Sequence, residues 1–135
     1  MHVLDTTAFS AAMRNEPAMV EFLSVRQPGD VAVVPPVVAE IEYGIQRLQP
    51  GSRKRSLLVA RQTQLLSAIR VLDWTPEASV RFGAIKAALE RAGTLIDDFD
   101  IAVAAIALAH NAPVVTANLA HFAGIEGLAC LHWSE

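Results

Sequence analysis

Short apolar runs alternate with longer amphipathic segments along the whole chain, and this alternation predicts the order of its elements. Five runs are typical of buried strands, at residues 2–4, 31–34, 69–72, 113–116 and 128–132. The segments between them carry apolar positions at helical spacing. Strands that alternate with helices indicate an α/β fold, with a central, mainly parallel sheet of about five strands flanked by helices. The 135 residues fit a single domain, 1–135.

Residues that start and stop helices place the boundaries of the helical segments. Pro17 divides the first segment into two helices, and Pro35-Pro36 starts the next one. Ser52 and Thr75 are typical helix caps, and Gly93 is a typical helix end. Further helices are predicted over residues 98–110 and 118–122.

The predicted topology draws attention to polar residues that follow strands. In parallel α/β sheets, ligands bind beyond the carboxyl ends of the strands. Asp5 directly follows the first strand, and residues 116–118 follow the fourth. We therefore expect these two segments to border a functional site.

Three carboxylates, Asp5, Glu40 and Asp100, interrupt otherwise apolar segments. A charge at the edge of a buried surface is costly unless it is paired or bound to a metal, and basic residues are scarce in these segments. Several carboxylates that converge on one site are the ligands that a hard cation such as Mg²⁺ or Mn²⁺ requires. The pattern therefore favours a divalent-metal site.

Each acid also has a purely structural interpretation. Asp5 is a suitable cap for the first helix, and Glu40 is suited to a first helical turn. Asp97, Asp98 and Asp100 are all suited to capping the helix that follows them. Spacing alone leaves both interpretations open.

At this point the chain resembles PIN-domain ribonucleases, and in particular VapC-type toxins, in four motifs that stand in the family's order. These are VLDTT at residues 3–7, AEIEYG at 39–44, IDDFD at 96–100 leading into 103–105, and VVTAN at 114–118 followed by Phe122. Gly93, Gly127-Leu128 and Trp133 extend the resemblance over essentially the whole chain. Thr7 stands where Asn is common in the family, and Ala117 replaces a residue that is frequently polar.

The resemblance assigns roles to individual residues. It implies that Asp5, Glu40 and Asp100 are the catalytic, metal-binding acids, with Asp98 as an accessory acid and Asn118 completing the metal site. Glu42 competes with Glu40 for its role, but only Glu40 lies one helical turn from Gly44 and shares its face. Thr6 and Thr116 are candidate hydrogen-bond donors to the carboxylates, or simply a cap and a strand end.

The resemblance also implies a function. It indicates an endoribonuclease that uses Mg²⁺ or Mn²⁺ to hydrolyse RNA phosphodiester bonds and thereby inhibits translation, as the toxin of a VapBC-type toxin–antitoxin module. A homodimer and a small VapB-type antitoxin that blocks the acidic cleft are the implied partners. The alternative is a PIN-type RNA-binding or regulatory domain that does not cleave.

Composition and charge restrict the remaining alternatives. Hydrophobic residues make up 53% of the chain, which indicates deep burial and an apolar face covered by a partner. No apolar run reaches the roughly 18 residues of a membrane span, so we expect no membrane association. The single cysteine, Cys130, is typical of a reducing, cytoplasmic setting.

The net charge of −3 means that any RNA-binding surface has to be local. The candidate patch, or alternatively a solvated helix face, comprises Arg47, Arg53, Lys54 and Arg55, with Arg61 beyond it. His110 and His121 lie in no metal-binding spacing and are interpreted as core-edge or surface residues. An aspartyl phosphatase needs a second Asp where Thr7 stands, and a Rossmann enzyme needs a glycine-rich turn that is absent.

Overall fold

The computed structural model describes all residues, 1–135, and contains one sheet of five parallel strands in the order β3-β2-β1-β4-β5. The strands are β1 His2–Leu4, β2 Val31–Val33, β3 Arg70–Val71, β4 Val114–Val115 and β5 Cys130–Leu131. This confirms the predicted α/β architecture. Every strand is shorter than or equal to its predicted run, because the outer residues of each run leave the ladder.

Seven helices surround the sheet, and most of their ends carry the residues that the sequence marks. They are α1 Thr6–Met13, α2 Pro17–Ser24, α3 Pro35–Gln46, α4 Arg53–Ala68, α5 Pro76–Ala92, α6 Asp98–Ala109 and α7 Leu119–Phe122. The hydroxyls of Ser52 and Thr75 cap α4 and α5. Gly93 ends α5 with a φ of 72°, a left-handed conformation that glycine adopts without strain.

The centre of the sheet is completely apolar. β1 pairs with β2 through Val3 and Ala32 and with β4 through Leu4 and Val115, so both of its edges are covered. α6 packs between the sheet and α5, and all residues from 101 to 107 are buried. Because these residues span about two helical turns, α6 is buried on every side, and this is why it is apolar around its whole circumference.

α4 lies at the periphery and buries one side only. Leu58, Leu65 and Leu66 pack against the core, but Leu57 is 52% exposed. It lies about 100° around the helix from Leu58, outside the stripe that contacts the body of the protein. Gln62 completes that stripe and is buried.

None of the helices combines the length and the apolar character that crossing a membrane requires.

Candidate active site

The carboxyl ends of the central strands bring together the segments that carry the candidate acids. Asp5 directly follows β1, and its backbone N–H donates to the Val115 carbonyl of β4 at 3.1 Å. Glu40 lies on α3, which follows β2, and Asp100 lies in the first turn of α6. Because β1 is the middle strand, Asp5 occupies the centre of this edge.

Asp5 is almost fully buried, with 2% of its surface exposed, and it does cap α1. Its Oδ1 accepts hydrogen bonds from the Ala8 backbone N–H at 2.9 Å and from Thr7 Oγ1 at 2.6 Å. Both donors use the same oxygen, so Oδ2 remains free for another partner. The structural interpretation of Asp5 is therefore correct, but it accounts for only half of the carboxylate.

Thr7 connects Asp5 to the neighbouring strand. Its hydroxyl donates to Asp5 and accepts from the backbone N–H of Ala117, just beyond β4, at 2.9 Å. Sequence reasoning treated Thr7 only as a departure from the usual residue. A hydroxyl placed two residues after a strand-end Asp is the signal that would have identified this bridge.

Glu40 lies in the middle of α3, and the first turn of that helix contains no acid. This excludes the interpretation of Glu40 as a first-turn residue. Its Oε1 accepts a hydrogen bond from Thr6 Oγ1 at 2.8 Å, which links α3 to the start of α1. Glu42 is exposed and bonds Gln46 on another face of the helix.

Asp100 is held by a histidine. Its side chain is 17% exposed, and Oδ2 accepts from His121 Nδ1 at 2.9 Å. Burial raises the pKa of the Asp100 carboxyl; the hydrogen bond from His121 opposes this rise, and the charges of Asp97 and Asp5 add to it. The contribution of Asp5 means that the two carboxylates lie within electrostatic reach of each other.

His121 is a residue that the sequence analysis assigned to packing or to the surface. It lies on α7, only two residues beyond the start of a short helix, and no spacing pattern connects it to Asp100. The fold brings the two residues together because α7 follows β4 at the same edge of the sheet. Sequence alone carried no signal for this pair.

Asp97 and Asp98 differ in what they contact. Asp97 caps α6 by accepting from the Asp100 backbone N–H at 2.9 Å. Asp98, the predicted accessory acid, is 63% exposed and forms a salt bridge with Lys86 Nζ of α5 at 2.9 Å. Its carboxylate therefore points toward α5, whereas the charges of Asp97 and Asp5 act on Asp100.

The fourth segment is ordered by its own hydrogen bonds. Thr116 is fully buried, and its hydroxyl accepts from the Asn118 backbone N–H at 2.9 Å. It forms no hydrogen bond with a carboxylate, which favours the second of its two interpretations, a strand end. Asn118 precedes α7, is exposed and makes no capping bond with its side chain.

The three candidate acids have the chemistry of a site for a hard cation, but each of them is hydrogen-bonded to another residue. Asp5, Glu40 and Asp100 offer only oxygen ligands, which suit Mg²⁺ or Mn²⁺. No group of three or more His, Cys, Asp or Glu side chains lies close enough to hold a metal ion. Glu40 is bonded to Thr6 and Asp100 to His121, so these two acids have to turn toward Asp5 Oδ2 to share an ion.

The predicted basic patch divides in the structure. Arg55 donates to Gln46, and the Arg47 guanidinium lies 5.8 Å from the centre of the Tyr43 ring. Arg53 is exposed. Of these four cations, only Lys54 lines a cavity that also contains Glu40. Arg14, at the end of α1, lines the same cavity, although the sequence analysis did not select it.

Replacing Thr7 by Val is expected to lower the free energy of unfolding by about 1 kcal/mol. The substitution removes the two hydrogen bonds of the Thr7 hydroxyl, to Asp5 after β1 and to Ala117 after β4, without a change in volume. Urea denaturation measures the change. Thr63→Val removes a hydroxyl that bonds only its own helix, at Val59, and should change stability by less than about 0.5 kcal/mol. Equal changes in the two variants would show that the bridge contributes nothing.

Residues 2–127 of the chain match the PIN domain family, and the chain is similar to curated proteins over nearly its whole length. Ribonuclease VapC2 of Haemophilus influenzae is 28% identical over 132 residues, which cover 98% of this chain and 97% of the relative. The tRNA(fMet)-specific endonuclease VapC of Shigella flexneri is also 28% identical, with the same coverage of 98% and 97%.

A solved structure agrees with the fold over nearly the whole chain. The DNA-bound VapBC of Salmonella typhimurium superposes with a TM-score of 0.88 at 26% identity, covering 98% of this chain and 97% of the other. The family match spans more than nine-tenths of the sequence and includes Asp5, Glu40 and Asp100. The chain belongs to the PIN domain family.

Proposed function

We propose that the protein is a divalent-metal-dependent endoribonuclease that acts as the toxin of a VapBC-type toxin–antitoxin module. The observation that carries the proposal is the position of Asp5 and Asp100. They come from segments 95 residues apart, yet Asp5 ends the middle strand of the sheet, and Asp100 is bonded to His121 of the helix that follows the neighbouring strand β4. Both belong to a PIN domain whose relatives are named VapC ribonucleases.

Asp5, Glu40 and Asp100 are the residues that would hold Mg²⁺ or Mn²⁺, and Asn118 would complete the set. A cation bound there supplies positive charge for the scissile phosphate and activates water for the attack on it. The fixed member of the set is Asp5, since two donors hold its Oδ1 while Oδ2 stays available. Glu40 and Asp100 are held by one side-chain bond each and are free to adjust.

The residues around the acids have distinct tasks in this proposal. Thr7 holds Asp5 against the end of β4, and Thr6 sets the approach of Glu40. His121 orients Asp100 through Oδ2.

The partners follow from the relatives and from the surface. The solved neighbour is a complex of VapB with VapC on DNA, and we propose a cognate VapB-type antitoxin for this chain. An acidic cleft is best blocked by a basic side chain of that partner.

Several large apolar side chains, among them Val25, Val80 and Tyr43, are well exposed, which is in keeping with a homodimer that also carries an antitoxin. Cleavage of an RNA needed for protein synthesis would inhibit translation.

The function is tested by comparing Glu40→Gln with Glu42→Gln, two neutralising changes on the same helix. With Mg²⁺ or Mn²⁺ we expect the native chain to cut RNA internally, and Glu40→Gln to lose at least about a hundredfold in rate, since one of the carboxylates that would hold the cation is neutralised. Glu42→Gln should keep the native rate, because Glu42 bonds only Gln46. Cleavage is followed on denaturing gels, and a chelator should abolish it.

Two results would contradict the proposal. If the native chain binds RNA but does not cut it with either cation, the protein is a non-cleaving PIN-type RNA-binding or regulatory domain. If both variants cut as well as the native chain, Glu40 has no part in the chemistry.

A further inference from the structure

Gly44 has no role within the folded chain that requires a glycine. It lies inside α3, where glycine is less favourable than alanine, and its φ is not positive. A Cβ built on it meets no atom within 4 Å. Neither backbone conformation nor internal packing therefore demands glycine here. The space in front of Gly44 is kept open toward something outside the chain.

That space is a cavity of about 350 Å³, here called the Gly44 pocket, and one of the candidate acids, Glu40, lines it. Thr6 and Glu40, which are hydrogen-bonded to each other, form one end of it. Met13, Ile41 and Leu58 form its largely apolar wall. An apolar pocket of this size accommodates a flat ring system such as a nucleobase.

Two cations, Arg14 and Lys54, also line the Gly44 pocket and give it a charge complementary to phosphate. Lys54 forms no salt bridge within the chain, and Arg14 reaches only Glu16, at 3.5 Å with its side chain 62% exposed. Apolar side chains that enclose a base, next to cations that contact phosphates, are features by which proteins hold an unpaired nucleotide.

The surface continues on the other side of α1. Thr6, Ser10 and Arg14 also line a second cavity of about 530 Å³, which reaches His132. The His132 ring is stacked on Trp133, with ring centres 4.2 Å apart. An extended single strand can therefore continue along this face of α1 from the Gly44 pocket, which contains Glu40, into the second cavity.

We propose that the Gly44 pocket binds the base of the nucleotide next to the scissile phosphate of a single-stranded RNA, with Lys54 and Arg14 on its backbone phosphates. This inference rests on the proposed function and makes it more specific: the pocket selects which base flanks the cut. Gly44 determines the depth of the pocket, and Lys54 and Arg14 determine the path of the strand.

The decisive experiment fills the pocket. Gly44→Val places three carbons into it, and Ala60→Leu adds three carbons to an exposed position of α4 that lines no cavity near the acids. We expect Gly44→Val to lower kcat/KM for RNA by about tenfold or more and to change the preferred cleavage sequence. Ala60→Leu should match the native chain. Thermal unfolding of both variants verifies that they are folded.

RNA binding is measured separately, by fluorescence anisotropy with a labelled oligonucleotide and no divalent cation. Gly44→Val should bind at least about tenfold more weakly than Ala60→Leu. This readout does not depend on cleavage, so a chain that binds without cutting still supports the pocket while it refutes the proposed function. Equal binding by the two variants, or no RNA binding by the native chain, would overturn the inference.

The cations are tested with Lys54→Ala against Arg91→Ala, which removes an exposed cation of α5 that lines neither cavity. Lys54→Ala should reduce the slope of log affinity against log salt by about 1, and Arg91→Ala should leave it nearly unchanged. If instead Gly44→Val binds RNA normally but no longer binds a peptide from the end of the cognate antitoxin, the pocket belongs to that protein partner and the RNA assignment is wrong.

Discussion

Asp5→Asn is expected to reduce RNA cleavage by about a thousandfold while the protein stays fully folded. Asn has nearly the shape of Asp, and its side-chain oxygen is an equally good helix cap for the Ala8 N–H. The change removes the one buried negative charge at the centre of the site. Single-turnover cleavage with Mn²⁺, with the chain verified by circular dichroism, measures the effect.

Asp5→Ala separates the two roles of this residue. It loses the charge and also the cap, so its free energy of unfolding should fall by about 1 kcal/mol relative to Asp5→Asn. If Asp5→Asn retained native cleavage, Asp5 would be a structural cap only, and the proposed chemistry would have no centre.

Asp100→Asn is expected to reduce cleavage by about a hundredfold or more and, at neutral pH, to make the protein slightly more stable, by less than about 1 kcal/mol. Burial raises the pKa of Asp100, so its ionised form is unfavourable in the folded chain, and the charges of Asp97 and Asp5 add to this effect. The amide keeps an oxygen for His121 but carries no charge. Chemical denaturation and cleavage assays on the same preparation measure both effects.

The pH dependence of the free energy of unfolding determines the sign of the stability change in Asp100→Asn. The folded chain binds the Asp100 proton more tightly than the unfolded chain, so this group contributes stability below its unfolded pKa and loses that contribution as pH rises through the raised, folded pKa. The advantage of Asp100→Asn should therefore be present at neutral pH and disappear as the solution is acidified through that window. An advantage that grows with acid would contradict the assignment.

Most of the fold was predictable because its determinants are local. Runs such as residues 31–34 are apolar on both faces, as only an interior parallel strand needs to be. Caps such as Ser52 and Thr75, and the glycine at 93, act within a few residues of their own position. The lengths of β3 and β5 were not predictable in the same way, because these two strands lie at the edges of the sheet and pair on one side only.

The candidate site was only half predictable, for a physical reason. Asp5, Glu40 and Asp100 stand out because they are charges in apolar surroundings. Their supports are ordinary polar residues whose roles depend on distant partners: His121 reaches Asp100 only after α7 folds back, and Thr7 reaches Ala117 across 110 residues. The salt bridge of Asp98 likewise depends on Lys86, a residue of another helix.

The central place of β1 has a consequence for how the protein is made. β1 leaves the ribosome before every other strand, yet its second neighbour, β4, begins only at Val114, and His121 follows later still. Until those late segments emerge, Asp5 lies on an unfinished sheet, and pairing over such long separations is slow. A nascent chain therefore carries no assembled candidate site before β4 and α7 have emerged, and the proposed toxin becomes dangerous only after that point.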